Sequence, residues 1–261
     1  MAKIFSHEVL DEISYGDFIS ELDGMGADFF DVKNIKKTAA LMNRLFYNRE
    51  FLSNHLNNIL DDVVPVKGNL YTSQVFMLEK NDRYAIRAPL WLPARGDYGE
   101  EVFVYGMPHD HNFNILTMGY LGSGYKTKIW QYDSELVGGV VGERVNMSGE
   151  MEFTLSEGKL LFMEMNKDIH VQYPPAELSV SINIMQIKNV SKFQYLFDVV
   201  GKKIVRKVNE DTATSLFKMA QIIGNEDTAN LLERIGCQFS GDVIGEAARK
   251  CAENLKDHLN A

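Results

Sequence analysis

The chain has 261 residues, 45% of them hydrophobic and 24% charged, which is ordinary for a soluble globular protein with a buried core. Its formal net charge of −9 argues against a nucleic-acid surface and against binding to an anionic membrane, because both need clustered Lys and Arg. The N-terminal segment lacks the apolar core of a signal peptide, and no apolar run is long enough to span a membrane. We therefore expect a cytoplasmic protein. The cysteines Cys237 and Cys251 are predicted to be buried thiols.

Residues 1–65 are predicted to form a helical segment, because apolar residues recur there at spacings of three and four. Asp31 is the predicted cap of a helix that begins near Val32, and Pro65 and Gly68 interrupt the pattern. The apolar positions are Leu41, Met42, Leu45, Phe46, Leu52, Leu56 and Ile59.

Residues 66–200 are predicted to form many short strands, because runs of β-branched, aromatic and apolar residues alternate there with turn signals. This pattern indicates a sandwich or barrel. The predicted strands are Leu70 to Leu78, Tyr84 to Leu92, Glu101 to Tyr105, Asn112 to Tyr120, Lys126 to Tyr132, Gly142 to Met147, Met151 to Leu155, Lys159 to Met165 and Leu178 to Ile187.

Residues 201–261 are predicted to return to helix. The first helix ends at Gly224, the second is stopped by Gly236, and the third runs to about Leu259. The order of helices, strands and helices predicts a β-barrel with helical flanks packed around it. We hypothesise that the flanks close a pocket or form the contact of a homodimer.

Three of the six histidines have a spacing that is typical of a metal site. His109 and His111 are two residues apart, so on a strand their rings point to the same face. His170 follows in a later strand–turn–strand unit, from which a third imidazole can complete a facial set with open positions for substrate or oxygen. The H-x-H pair alone is also compatible with two ordinary histidines.

The segment from His109 onwards resembles the cupin superfamily. The first motif of that family begins with H-x-H, continues with a Glu and ends with a Gly. Here His109-Asp110-His111 matches the beginning and Gly122 the end, whereas Ile115 or Leu116 occupies the position of the Glu. The resemblance implies a double-stranded β-helix, or jelly-roll barrel, and a mainly β fold.

The second motif of the family begins with Gly, contains Pro-x-Gly and ends with His. Gly158 matches its first residue, Glu164 stands where Pro is usual, Asn166 stands near the Gly, and His170 comes one residue late. A three-histidine set without the Glu resembles the thiol dioxygenase-like branch, which implies Fe(II), with Zn, Ni or Mn as alternatives. Glu164 stays open as a further ligand.

Several other residues are candidates for the chemistry around the metal. Arg87 lies in an otherwise apolar strand and can bind a substrate carboxylate through two hydrogen bonds, and Tyr105 and Tyr125 can move protons or position oxygen. Each is also compatible with a surface or core role. The strand Leu178 to Ile187 has a polar face, formed by Ser179, Ser181 and Asn183, that lines the pocket or meets solvent.

The resemblance therefore implies a mononuclear non-haem iron(II) dioxygenase or oxygenase that acts on a small molecule with O2 as co-substrate. Two other function classes stay open. One is a metal-dependent isomerase or lyase that uses the ion as a Lewis acid. The other is a non-catalytic cupin that binds or senses a ligand. These classes differ in their requirement for iron and oxygen and in turnover.

Overall fold

The protein divides into two compact units, Met1–Lys207 and Val208–Ala261. The computed structural model describes residues 2–6, 11–26, 29–31, 33–61, 75–94, 105–188, 190–191, 193–208, 212–239 and 243–259.

The first unit contains three helices followed by most of the strands. Its elements are β1 (Lys3–Phe5), α1 (Tyr15–Gly24), α2 (Ile35–Tyr47), α3 (Phe51–Asp61), β2 (Val75–Lys80), β3 (Tyr84–Trp91), β4 (Ile115–Leu121), β5 (Lys126–Gln131), β6 (Ser148–Thr154), β7 (Leu160–Met163), β8 (Asp168–Tyr173), β9 (Ser179–Gln186), β10 (Tyr195–Asp198) and β11 (Lys203–Lys207).

The strands form three antiparallel sheets. The largest has six strands in the order β1-β7-β4-β9-β3-β2, the second has the order β6-β5-β8, and β10 and β11 form a hairpin. The prediction of a mainly β fold with helical flanks is confirmed. Closure of these sheets into a jelly-roll barrel stays a prediction.

The six-stranded sheet has two different faces, because successive side chains on a strand alternate between them. One face is apolar and packs against helices α1 to α3, with Leu116, Phe162 and Ile184 in the shared core. The other face carries Ile115, Met163 and polar residues, and its apolar part packs against Ile129 of the three-stranded sheet. A space enclosed by the two sheets can therefore be lined by polar groups while the helices seal the far side.

The structure differs from the predicted elements in several places, and α2 begins at Ile35 with Asn34, not Asp31, at its N-cap. Lys3–Phe5 is a strand paired with β7, although this part of the chain was predicted to be helical. The predicted strand Gly142 to Met147 forms only an isolated bridge, between Arg144 and Lys203. Strand β8 and the hairpin β10–β11 were not predicted, so the strands reach Lys207, beyond residue 200. The predicted segments 70–74 and 101–104 lie outside the described residues.

The second unit consists of α4 (Thr212–Ile223), α5 (Glu226–Gln238) and α6 (Val243–Leu259) around a small core. Gly236 was predicted to end a helix, but α5 continues to Gln238. A Cβ at Gly236 would press into the side chain of Arg249 on α6, so this glycine permits close packing of the two helices. Cys251 is buried as predicted, whereas the prediction was wrong for Cys237, which is exposed.

The helices differ from membrane-spanning helices in length or composition. Across the described ranges, none combines the length and the apolar character that a crossing of the bilayer requires.

Candidate metal centre

The H-x-H segment is held in place by backbone hydrogen bonds to strand β8. The His109 N–H donates to the His170 carbonyl over 2.9 Å, and the His170 N–H donates back to the His109 carbonyl over 2.8 Å. His109 also bridges Leu196 on β10. The segment therefore precedes β4 and carries isolated bridges instead of a regular strand ladder. The pairing places His109 directly opposite His170.

The three imidazoles converge in the interior of the unit. His109, His111 and His170 each offer one ring nitrogen, and these nitrogens lie within 4.8 Å of one another. The Nε2 atoms of His109 and His170 are 3.0 Å apart. The exposed fractions are 6%, 8% and 1%, so bulk water is nearly excluded. The three histidines thus converge in the structure, as predicted.

The donor set fits a divalent metal ion. The Nδ1 atom of His109 lies 2.8 Å from the Met107 carbonyl and donates to it as N–H, which leaves the Nε2 lone pair free for a metal. Two nitrogens bound at right angles, each about 2.1 Å from one ion, are about 3.0 Å apart. Burial lowers the pKa of His109, and those of His111 and His170 well below the usual value, which favours the neutral, metal-binding form.

Asp110 points away from the three rings and fixes the segment that carries them. Its carboxylate accepts a 2.6 Å hydrogen bond from the Tyr132 hydroxyl and another, also 2.6 Å, from the Tyr195 N–H. Burial raises the pKa of Asp110 to about 6, although both donors act to lower it. The side chain between the two histidines therefore anchors them to β10 and to the end of β5.

A pocket of about 160 Å³ opens onto the three histidines. Its wall includes Ile115, one of the two residues at the position of the usual cupin Glu, whereas Leu116 packs in the core shared with the helices. The lining contains no Asp or Glu among the described residues. Glu164 lies elsewhere and pairs with Lys3 and Lys167, so the structure does not bring it to the histidines.

Arg87 and Tyr125 line the same pocket, as the sequence analysis proposed. Burial lowers the pKa of Arg87, and its Nε atom has no hydrogen-bond partner in the described structure. Burial raises the pKa of Tyr125, while hydrogen bonds to Gln172 and Thr117 and the charge of Arg87 lower it. The pocket thus holds a cation with no acidic partner among the described residues.

Tyr105 is placed differently from the other two candidates. Its hydroxyl donates a 2.9 Å hydrogen bond to the Leu92 carbonyl, and its ring lies beside Trp91, with 6.1 Å between centroids. Trp91 lines the pocket, but Tyr105 does not. The structure therefore places Arg87 and Tyr125 in the pocket with the histidines. Tyr105 lies outside the pocket lining, beside Trp91.

Three polar residues of the pocket were not singled out as site residues from the sequence. Gln172 lies two residues after His170 on β8, and Thr117 lies two residues after Ile115 on β4, so strand parity is the signal that could have found both. Asn183 belongs to the polar face of β9, for which pocket and solvent were both open. In the structure Asn183 lines the pocket, whereas Ser179 and Ser181 are buried and do not line it.

Comparisons with known proteins give only weak similarity. No protein-family model and no curated protein matches the chain. A hydroquinone 1,2-dioxygenase from Sphingomonas sp. TTNP3 with 4-hydroxybenzoate bound aligns with a TM-score of 0.30 and 11% identity, over 49% of this chain and 73% of that chain. A structure of DMSP lyases aligns with a TM-score of 0.29 and 10% identity, over 48% and 52%.

A cupin domain from Bordetella pertussis Tohama I aligns with a TM-score of 0.25 and 12% identity, over 45% of this chain and 98% of that domain. Similarity of this strength assigns neither an activity nor a substrate to the chain. Membership of the cupin superfamily and of its three-histidine branch accordingly stays a prediction from the sequence motifs.

Proposed function

We propose that the chain is a mononuclear non-haem iron(II) oxygenase that acts on a small molecule. The observation that carries this proposal is the meeting of His109, His111 and His170 in a pocket whose described lining has no carboxylate. Three neutral imidazoles leave a divalent ion its full charge and leave coordination positions open. When bound, iron(II) would supply the activation of dioxygen.

The residues around the histidines support binding of a small anionic substrate. Arg87 has no acidic partner among the described residues, so a negatively charged group of the substrate can pair with it. The Tyr125 hydroxyl is buried in the same wall and can hold or donate a proton. The volume of about 160 Å³ restricts the substrate to a small molecule.

A Lewis-acid isomerase or lyase is the second candidate, and the same observation supports it. Imidazole suits zinc, copper and nickel as well as iron, so the three histidines do not distinguish redox from Lewis-acid chemistry. The two reactions differ in their metal and oxygen requirement. A redox-inert zinc ion should support the second reaction and abolish the first. A ligand-binding protein without catalysis would show neither reaction.

The first experiment is metal analysis of the full-length chain and of two variants, His109→Ala and His170→Ala. We expect about one iron per chain in the wild type and its loss in both variants, because each removes a ligand. His258→Ala is the matched control, since this histidine is exposed on α6. Wild type and control are then compared for oxygen uptake with a panel of small carboxylic acids, amino acids and thiols.

Three outcomes separate the candidates. Iron bound through the histidines together with substrate-dependent oxygen uptake supports the oxygenase. Turnover of a panel compound by the zinc-loaded chain, without oxygen uptake, replaces it with the Lewis-acid reaction. Metal that is absent, or that both variants retain, would remove the basis of the proposal.

A further inference from the structure

Three polar side chains form one row across the pocket face of the six-stranded sheet. In the strand register, Asn183 on β9 lies opposite Arg87 on β3 and opposite Thr117 on β4. Residues directly opposite each other on neighbouring strands point to the same face, with Cβ atoms about 5 Å apart. All three line the cavity that opens onto the histidines.

Hydrogen bonds to its oxygen fix the orientation of the Asn183 amide. The Trp91 indole N–H can only donate, and it donates to Ser181 Oγ over 2.9 Å. Ser181 in turn donates to Asn183 Oδ1 over 3.1 Å, and Thr117 donates to the same oxygen over 2.6 Å. The reverse amide orientation would leave the hydrogen of Ser181, a buried residue, without an acceptor among the described residues.

The nitrogen of the same amide has no hydrogen-bond partner among the described residues. Both lone pairs of Asn183 Oδ1 are used, whereas no described residue accepts a hydrogen bond from Nδ2. The side chain is 4% exposed and lines the cavity, so its N–H groups are available to a molecule bound there. The amide N–H groups therefore belong to a cavity that also contains the Arg87 guanidinium, which has no acidic partner among the described residues.

We propose that Asn183 and Arg87 form a carboxylate-binding subsite, and that Asn183 selects a hydrogen-bond acceptor in the substrate. Two planar donor groups on adjacent strands match the two oxygens of one carboxylate. A substrate that presents an ammonium group at this position is rejected, because it meets only donors and a positive charge. The subsite deepens the proposed function, on which its role in catalysis rests.

The test uses glycolate and ethanolamine, which share a hydroxymethyl group but carry a carboxylate and an ammonium group, respectively. Binding to the full-length chain is followed by the ¹H–¹⁵N signal of the Trp91 indole, which lies in the pocket wall. The chain has two tryptophans, so a Trp130→Phe variant assigns this signal. Each titration is run on zinc-loaded and on EDTA-treated protein.

Glycolate is expected to shift the Trp91 signal in both metal states, and ethanolamine in neither. Asn183→Asp keeps the acceptor for Ser181 and Thr117 but replaces the two donors with a negative charge, so glycolate affinity should fall about tenfold or more. Asn146→Asp, the same change at an exposed position, should leave the affinity at the wild-type value.

Unchanged glycolate affinity in Asn183→Asp would overturn the inference, as would wild-type protein that fails to bind glycolate or binds ethanolamine equally well. The comparison of the two probes in wild type needs no variant, so it decides the matter even if Asn183→Asp does not fold. Glycolate binding that depends on Asn183, in a protein that the metal analysis shows to hold no metal through the histidines, would retain the subsite and reject the proposed oxygenase.

Discussion

Replacement of Tyr132 by Phe tests whether the buried hydrogen bond to Asp110 holds the H-x-H segment. The substitution removes one hydroxyl that donates to a carboxylate over 2.6 Å in a site that is closed to water. Hydrogen bonds to charged groups contribute about 1.5–3 kcal/mol, so we expect a loss of about 2 kcal/mol in the free energy of unfolding. For a unit of this size, that loss lowers the melting temperature by about 4–8 °C.

The assay is urea denaturation followed by circular dichroism, with thermal unfolding as a second readout. Tyr173→Phe is the matched control, because this tyrosine is exposed on β8 and its hydroxyl bonds to no described residue. The control should change the free energy of unfolding by less than about 0.5 kcal/mol. If Tyr132→Phe is as stable as the control, the Asp110 carboxylate is not held by this bond and the reasoning fails.

Three further predictions concern stability. The pKa of Glu164 is lowered by its two lysine partners although burial acts to raise it, so its stabilising effect is present above the ordinary value and is lost as pH falls through the lowered pKa. Glu164→Gln should therefore destabilise by about 0.5 kcal/mol at neutral pH and by nothing in strong acid, and an equal loss in urea melts at both pH values would contradict this. Gly119→Ala should destabilise by several kcal/mol in the same melts, because its Cβ would press into the Ser156 carbonyl oxygen, and a wild-type midpoint would refute the clash. Gly16→Ala, in α1 with open space around it, should instead raise stability by up to about 1 kcal/mol, and a lower midpoint would contradict that.

The sequence predicted those elements in which the spacing of apolar residues follows directly from which side chains are buried. Helix α2 buries residues three and four apart, and β4 carries a run of apolar residues, so both patterns are strong. Strand β8 was missed because its polar residues are buried: His170 and Gln172 face the pocket instead of solvent. A polar residue that lines a cavity has the same sequence signature as one that faces water.

The same ambiguity explains what could be predicted of the site. The spacing of His109, His111 and His170 predicted a metal site, and the structure brings the three side chains together. The polar face of β9 gave none, because the role of Asn183 depends on its neighbours Arg87 and Thr117 on two other strands. The register between strands that are far apart in sequence is set only in the folded sheet, so the sequence of one strand does not predict it.

The short strand β1 has a consequence for the behaviour of the protein in solution. It covers β7, pairing Lys3 with Phe162 and Phe5 with Leu160, and β7 is apolar along its whole length. Without these few residues, β7 would become an uncovered edge whose free N–H and C=O groups can pair with a second chain. Proteolytic removal of residues 1–5 should thus increase edge-to-edge aggregation of the protein, while the histidine pocket stays intact.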